Sequence, residues 1–324
     1  MPRRAVWKVA VVYVALVAIG LLTGCARTFL SPDRQVAGTP IQELTQVPFF
    51  PQRDYECGPA ALAEMLTHSG VSRSPDDLVA AVYLPERQGS LQPEMIAAAR
   101  KHGRLVYPLE TAEEIQAQLR HGLPVLVFQN LGLPRYPRWH YAVVVGWIPG
   151  RQVVLRSGTT QRLIQNEATF LRTWEWGGRW AQAILPPDRL PAAPNPERYL
   201  SAVWSLESVG QRAAARSAYA AAARQWPDQE LPWLAWSNLL IGDKESAAAL
   251  AVLEEGLQYN PQSDVLRLNR AALLLDRGQR EEALRIARAL AGRSGPWQTQ
   301  AQDLLLEIEN AETSNVSHPS LSPP

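Results

Sequence analysis

The stretch that most constrains this chain is VPFFPQRDYECGPAALAEML, residues 47–66, because it predicts a cysteine at the start of a helix. Cys57 is followed by Gly58 and Pro59, then by helix-forming residues whose apolar side chains recur at helical spacing. Pro59 suits a first helical turn, where its missing N–H costs nothing. Partial positive charge at a helix N-terminus favours the thiolate form of a cysteine. The pattern therefore predicts a nucleophilic Cys57; the alternative is a small buried residue without chemistry.

A glutamine and a histidine are candidates to complete a site around this cysteine. Gln52 lies five positions upstream (57 − 52) on a segment that flanking prolines keep extended, so its amide can donate a hydrogen bond beside the sulfur. His140 begins the apolar strand pattern HYAVVVGW, whereas the other histidines lie beside helix-ending glycines, far along a helix or in the C-terminal tail. The alternatives are a Gln52 at the surface and a structural His140 packed under Trp139.

Length, charge and cysteine content exclude several classes of protein. The chain has 324 residues, which is enough for two domains, and a formal net charge of +1. A nucleic-acid binder would show a basic face or stripe, so no nucleic-acid partner is expected. Cys25 and Cys57 are the only cysteines, so a disulfide framework is not expected. No metal-ligand spacing and no Gly-rich phosphate loop occur, so neither a metal nor a cofactor is expected.

The N-terminus resembles a bacterial lipoprotein signal. A basic start is followed by the apolar run Val9–Leu22 and then by LTGC, which ends at Cys25. The resemblance implies cleavage after residue 24, diacylation of Cys25 and anchoring by the lipid, with residues 25–45 as a tether. Ala26 in place of an aspartate favours the outer membrane of the bacterial cell envelope, facing the periplasm. The alternatives are an uncleaved anchor or a plain secretory signal.

Residues 46–187 are predicted to form an α+β domain, in which helices come first and a sheet second. Strands are indicated by short β-branched runs that Pro, Gly and Arg separate, and their spacing favours antiparallel pairing. Helices are expected from Cys57, from Ser74-Pro75 to Tyr83, from Ser90 to His102, from Thr111 to His121 and over Glu167–Trp174. Strands are expected at Leu105–Tyr107, Val125–Phe128, Tyr141–Trp147, Val153–Leu155 and Trp180–Leu185.

Three motifs of this domain together resemble the bacteriocin-processing cysteine peptidases, which trim leader peptides after a double glycine and have a papain-like fold. The motifs are Gln52 with CGPAAL from Cys57, GSL at residues 89–91, and HYAVV from His140. The resemblance implies that Cys57 is the nucleophile and that His140 transfers its proton. It also implies that Gln52 and the Cys57 backbone N–H form the oxyanion hole.

The chain departs from the family's pattern at one residue. The family uses an aspartate on the next strand to orient the imidazole, and the matching stretch here reads VLRSG, with Ser157 at that place. A serine hydroxyl can accept the imidazole N–H, but it brings no charge to stabilise an imidazolium. Loss of such a carboxylate costs on the order of 10⁴ in turnover in a Ser-His-Asp triad, although cysteine peptidases can use a neutral asparagine.

The C-terminal part is predicted to be all-α. Prolines recur at Pro227, Pro261 and Pro296, with intervals of 34 (261 − 227) and 35 (296 − 261), in a composition rich in Ala, Leu, Arg and Glu. Helix pairs of that period resemble tetratricopeptide repeats, which stack and leave a concave surface for a protein partner. The alternative is a generic helical bundle. The expected divisions are a Pro-rich linker at 188–196, repeats at 197–312 and a disordered tail at 313–324.

The function that this sequence predicts is that of a membrane-anchored cysteine peptidase, with the site Cys57, His140, Gln52 and Ser157. Its expected partners are a protein or peptide substrate and a protein bound by the repeats. The competing prediction is a non-catalytic adaptor that uses a degenerate cleft and the repeats for docking. Acyl transfer other than hydrolysis uses the same residues and stays open.

Overall fold

The computed structural model describes residues 43–53 and 56–316, with side chains to residue 310. The predicted signal, the predicted lipidation site Cys25, most of the tether and the end of the tail lie outside these residues. The described residues form one compact unit.

The first part of this unit is an α+β domain, as predicted. Its helices begin where the sequence places capping residues: Thr111 Oγ1 accepts the backbone N–H of Glu114 at 3.2 Å, and Ser74 exchanges side-chain and backbone hydrogen bonds with Asp77. Its helices are α1 (Cys57–His68), α2 (Asp76–Val82), α3 (Gln92–Lys101), α4 (Ala112–Arg120) and α5 (Glu167–Trp176). Its strands are β1 (Leu105–Leu109), β2 (Val125–Asn130), β3 (Trp139–Ile148), β4 (Gln152–Ser157), β5 (Thr160–Asn166) and β6 (Ala181–Leu185).

The six strands form one antiparallel sheet in the order β1-β6-β2-β3-β4-β5. In this register His140 pairs with Gln129 of β2, and Val143 pairs with Arg156 of β4. Antiparallel hairpins bring the start of β3 to the end of β4. The residues that begin β3 therefore lie beside those that end β4.

One predicted helix start was wrong, and one strand was missed. The helix expected from Ser90 begins at Gln92, after Leu91 in extended conformation, and β5 was not predicted at all. β5 has the sequence TQRLIQN and is largely exposed, because it forms an edge of the sheet. A polar edge strand lacks the apolar run on which the strand predictions relied.

The second part is all-α, as predicted, and consists of antiparallel helix pairs with short turns. Each helix packs against its neighbours in sequence, and glycines in left-handed conformation such as Gly210 (φ 81°) and Gly278 (φ 75°) end helices. The helices are α6 (Pro196–Ser208), α7 (Arg212–Gln225), α8 (Glu230–Gly242), α9 (Ser246–Tyr259), α10 (Asp264–Asp276), α11 (Arg280–Ala291) and α12 (Gln298–Val316).

One hydrophobic core joins the sheet to the first repeat helices. Ala142 and Val144 of β3 belong to the same buried cluster as Tyr199 and Val203 of α6. Further members come from α4, α5, α7 and α8. Burying each large aliphatic side chain contributes roughly 1.5–3 kcal/mol. The two parts of the chain are therefore packed against each other by substantial apolar burial.

The segment between the two parts is held by hydrogen bonds. Gln118 of α4 donates to the Ala192 carbonyl at 3.1 Å and accepts the Ala192 N–H at 2.8 Å. The Asn195 N–H donates to the Tyr107 hydroxyl at 3.0 Å, and Asn195 Oδ1 caps α6. These contacts fix residues that the sequence assigned to a semi-rigid linker.

In the described part of the chain, no helix has both the length and the apolar character that spanning a bilayer requires.

Candidate active site

Cys57 is the first residue of α1, as the sequence predicts. The helix packs mainly against β3, and its residues from Gly58 to Leu66 are buried. Cys57 itself is partly exposed and is a free thiol. The helix thus presents its N-terminal cysteine at the end of the sheet where β3 begins.

The sulfur of Cys57 lies among backbone N–H groups. The N–H groups of Tyr141, Gly58 and Cys57 itself act on the thiol, and each favours the thiolate. Burial opposes them and is the larger effect, so the pKa of the Cys57 thiol is raised above its ordinary value. At neutral pH Cys57 is therefore a protonated thiol that needs a base, contrary to the thiolate expected from the helix terminus.

His140 and Ser157 form the second half of the site. His140 Nε2 and Ser157 Oγ lie 2.8 Å apart, which is hydrogen-bonding distance. Ser157 is the last residue of β4 and is buried, so the hydroxyl fixes one ring nitrogen and leaves Nδ1 for other contacts. The structure thereby places a serine beside the imidazole, where the resemblance implied an orienting residue.

The imidazole of His140 is held in its neutral form. Burial and the positive charge of Arg138 lower the pKa of His140 to about 4. Among the groups that shift this pKa, no carboxylate occurs. Ser157 supplies no charge that would oppose the shift, so the ring is an available proton acceptor over most of the pH range.

Gln52 is fixed to the same end of the sheet through its backbone. Its N–H donates to the Gly158 carbonyl at 3.1 Å, and Gly158 directly follows Ser157. The residue is half-buried. The backbone of Gln52 therefore runs beside the turn that ends β4, one residue from the partner of His140.

The four predicted site residues thus lie around one corner of the sheet. The Cys57 sulfur is next to the N–H of Tyr141, the residue after His140. His140 contacts Ser157, and Gln52 contacts the residue after Ser157. Their catalytic roles stay predictions, since this arrangement gives positions and not activity.

Residues that the sequence analysis missed also contribute to this corner. Tyr141 supplies a backbone N–H to the sulfur, and its buried hydroxyl has no hydrogen-bond partner within the described residues. Gly58 lies so close to Ser90 that a Cβ would be 2.2 Å from Ser90 Oγ. These are contacts between distant segments, and only the GSL motif at residues 89–91 gave a signal for one of them.

A second missed residue is Glu64, a buried carboxyl on α1. Its Oε1 accepts the N–H of Phe50 at 3.1 Å. The sequence signal was present, since a charged residue interrupts the apolar pattern of this helix.

A family model matches residues 44–179 of the chain. These residues run from the segment before α1 to just after the end of α5. The model is that of the "Peptidase_C39 like family". The α+β domain is therefore similar to this family. Among curated proteins, no relative matches the chain.

Solved structures resemble the two parts separately. A C39-like peptidase from Bacillus anthracis is 16% identical over 45% of this chain and 98% of its own, with a TM-score of 0.39. The peptidase domain of Streptococcus ComA, a bifunctional ABC transporter of a quorum-sensing pathway, is 22% identical over 43% of this chain and 98% of its own, with a TM-score of 0.36. The P58(IPK) TPR domain is 24% identical over 37% of this chain and 34% of its own, with a TM-score of 0.32.

The fold class predicted from the sequence is confirmed: a C39-like α+β domain is followed by an all-α domain of helix pairs.

Proposed function

We propose that the protein is a cysteine peptidase whose nucleophile is Cys57 and whose base is His140. The observation that carries the proposal is the 2.8 Å contact between His140 Nε2 and Ser157 Oγ, beside a cysteine whose sulfur adjoins the N–H of Tyr141. A helix-start cysteine, a histidine and an orienting hydroxyl are the parts that acyl transfer to sulfur requires.

The chemistry starts from a neutral pair. With its proton on Nε2 facing Ser157, the His140 ring has an acceptor lone pair on Nδ1 for the Cys57 proton as sulfur attacks the peptide carbonyl carbon. The imidazolium then gives that proton to the leaving amine as the C–N bond breaks, which leaves a thioester. Water, activated by His140, hydrolyses the thioester and restores the thiol.

Charge on the carbonyl oxygen needs donors during this attack. The proposed donors are the Cys57 N–H at the start of α1 and the side-chain amide of Gln52. The hydrogen bond from the Gln52 backbone N–H to the Gly158 carbonyl holds Gln52 near the site. Ser157 accepts the Nε2–H and keeps the ring orientation, but it cannot stabilise an imidazolium as a carboxylate would. A slow peptidase is expected from this set.

We further propose the setting in which the enzyme acts. Diacylation at Cys25 would hold it at the outer membrane, facing the periplasm, and its substrate would be a protein or peptide of the envelope. The helix pairs α6–α12 would bind that substrate or a partner protein. The lipoprotein-like sequence and the regular helix pairs support these assignments.

The proposed activity is tested with matched variants. Wild type, Cys57→Ala and His140→Ala are incubated with envelope proteins, and new N-termini are identified by mass spectrometry. Fragments that only the wild type produces support the proposal. Identical fragment sets from wild type and Cys57→Ala would refute it. Cleavage by His140→Ala at the wild-type rate would remove His140 from the mechanism.

A second function, docking without cleavage, is favoured by two observations. Burial raises the pKa of the Cys57 thiol instead of lowering it, and no carboxylate supports His140. Alkylation of Cys57 at neutral pH discriminates the two. If His140→Ala slows alkylation at least tenfold, the imidazole acts on the thiol and the peptidase is supported; equal rates favour the adaptor.

A further inference from the structure

Hydrogen bonds at several residues hold the segment that carries Gln52 to the rest of the site. Leu44 N–H donates to the Val145 carbonyl at 2.8 Å, and Gln52 N–H donates to the Gly158 carbonyl at 3.1 Å. Between these ends, Phe50 N–H donates to Glu64 Oε1 at 3.1 Å. The Phe50 hydrogen bond joins this segment to α1, the helix that also carries Cys57.

Glu64 is unusual for its position. It lies seven residues after Cys57 (64 − 57) on the same helix, about two turns away, and its side chain is 2% exposed. Its second oxygen, Oε2, is buried and has no hydrogen-bond partner within the described residues. An apolar residue would pack here without that cost, so the carboxyl is not explained by core packing.

We propose that Glu64 is a positioning residue, which sets the distance between Cys57 and Gln52 by holding the backbone of Phe50. This inference rests on the proposed function, since it assigns the support of the proposed oxyanion hole. The geometry is direct: one rigid helix carries the nucleophile at its first residue and the acceptor for Phe50 two turns later. Phe50 lies two residues before Gln52, on the same extended segment.

Burial and the nearby charged groups decide whether the Glu64 carboxyl is protonated. Arg156 of β4 acts on Glu64, but its guanidinium is shared with Glu43 at 3.2 Å and with the carbonyls of Val47 and Gln161. Burial raises the pKa of Glu64 to about 8, against the lowering effects of the Phe50 N–H and Arg156. At neutral pH Glu64 therefore holds Phe50 as a neutral acid through its carbonyl oxygen.

Because Glu64 is expected to hold Phe50 as a neutral acid, a matched set of variants can test its role. Glu64→Gln keeps a neutral side chain with a carbonyl oxygen at the same reach. Glu64→Met keeps the length but removes the acceptor and leaves the Phe50 N–H unsatisfied. Glu64→Asp keeps the carboxyl but is one methylene shorter, and it serves if the methionine variant fails to fold.

Two readouts separate positioning from a merely structural role. With a cleaved peptide, Glu64→Met and Glu64→Asp are expected to lower kcat about tenfold or more and to leave KM within twofold. The reason is that a displaced Gln52 amide weakens a hydrogen bond that forms mainly in the transition state. Glu64→Gln is expected to stay within twofold of wild type. In a Gln52→Ala background, Glu64→Met is expected to change kcat less than twofold, since both act through one donor.

Amide hydrogen exchange gives the readout that does not depend on activity. Exchange of the Phe50 amide is expected to accelerate at least tenfold in Glu64→Met and to be unchanged in Glu64→Gln. Unaccelerated exchange in Glu64→Met overturns the inference by itself, as do additive losses of kcat in the Gln52→Ala background. Accelerated exchange with no Cys57-dependent cleavage in any variant instead refutes the proposed function, and the catalytic part of this inference with it.

Discussion

Ser157 orients the His140 ring, because its hydroxyl is the partner of Nε2 at 2.8 Å. A hydroxyl orients the ring but leaves its charge uncompensated, and the pKa of His140 lies at about 4, chiefly through burial. A carboxylate at the same place would favour the imidazolium that forms when the thiol loses its proton. In the proposed mechanism, Ser157 therefore limits the rate and not the kind of reaction.

Ser157→Asp tests this argument. We expect kcat/KM to rise on the order of 10² to 10⁴, and the acid limb of the pH–rate profile to move upward from its wild-type position near pH 4, because the carboxylate raises the pKa of His140. Ser157→Asn, which orients without charge, is the control and should leave the limb in place. An unchanged limb in Ser157→Asp would show that position 157 does not govern the imidazole.

Glu64 connects the site to the pH dependence of stability. Its pKa is raised from 4.5 to about 8, so between these values the folded chain binds more protons at this residue than the unfolded chain does. Stability contributed here falls as pH rises through that window and is level above it.

The slope attributable to Glu64 is roughly 1.4 kcal/mol per pH unit. Urea unfolding of wild type and Glu64→Gln at pH 5.5 and 7.5 should therefore show a difference that grows by about 2 kcal/mol in favour of the glutamine. The comparison cancels the titration of other groups. Parallel stabilities at the two pH values would mean that Glu64 is ionised in the folded protein throughout.

At the scale of elements, α1 is constrained at its start by a close approach. A Cβ on Gly58 would lie 2.2 Å from Ser90 Oγ and 2.5 Å from Ser90 Cβ. No rotamer of Ser90 removes the second contact, so the segment before α3 must shift if position 58 gains a side chain. Because Gly58 follows Cys57, that shift acts directly on the proposed nucleophile.

Gly58→Ala should destabilise the fold by about 1–3 kcal/mol, the usual cost of overpacking. Activity should fall further than stability explains, because the helix start moves with the thiol. Ser90→Gly removes both clashing atoms, so the double variant should recover most of the stability in chemical denaturation. A double variant no more stable than Gly58→Ala would place the strain elsewhere.

Local chemistry made most elements predictable from the sequence, and long-range contacts did not show in it. The capping residues Ser74 and Thr111 and the apolar runs predicted helices and five of the strands, because their causes lie within a few residues. β5 was missed since an exposed edge strand has no apolar run. Ser157 was predicted from its place in a motif. The contacts of Glu64 with Phe50 and of Tyr141 with Cys57 join separate segments of the chain, so a local sequence pattern does not predict them.

At the scale of the whole molecule, the helix pairs are part of the structure that supports the corner of the sheet with the proposed site. The cluster that contains Ala142 and Val144 of β3 also contains Tyr199 of α6, and Gln118 joins α4 to Ala192 by two hydrogen bonds. The sequence predicted two domains with a linker. Because the two parts share a buried core, we expect them to unfold as one cooperative unit.

Gln118→Ala tests that cooperativity. Gln118 is fully buried, and its loss leaves the N–H and carbonyl of Ala192 without partners, which costs about 2–4 kcal/mol. We expect one thermal transition in wild type and one lower transition in the variant, with faster amide exchange in both β1 and α6. Glu113→Ala, at an exposed position of the same helix, is the control and should change neither. Two separate transitions, or faster exchange in α6 alone, would show that the repeats fold independently of the sheet.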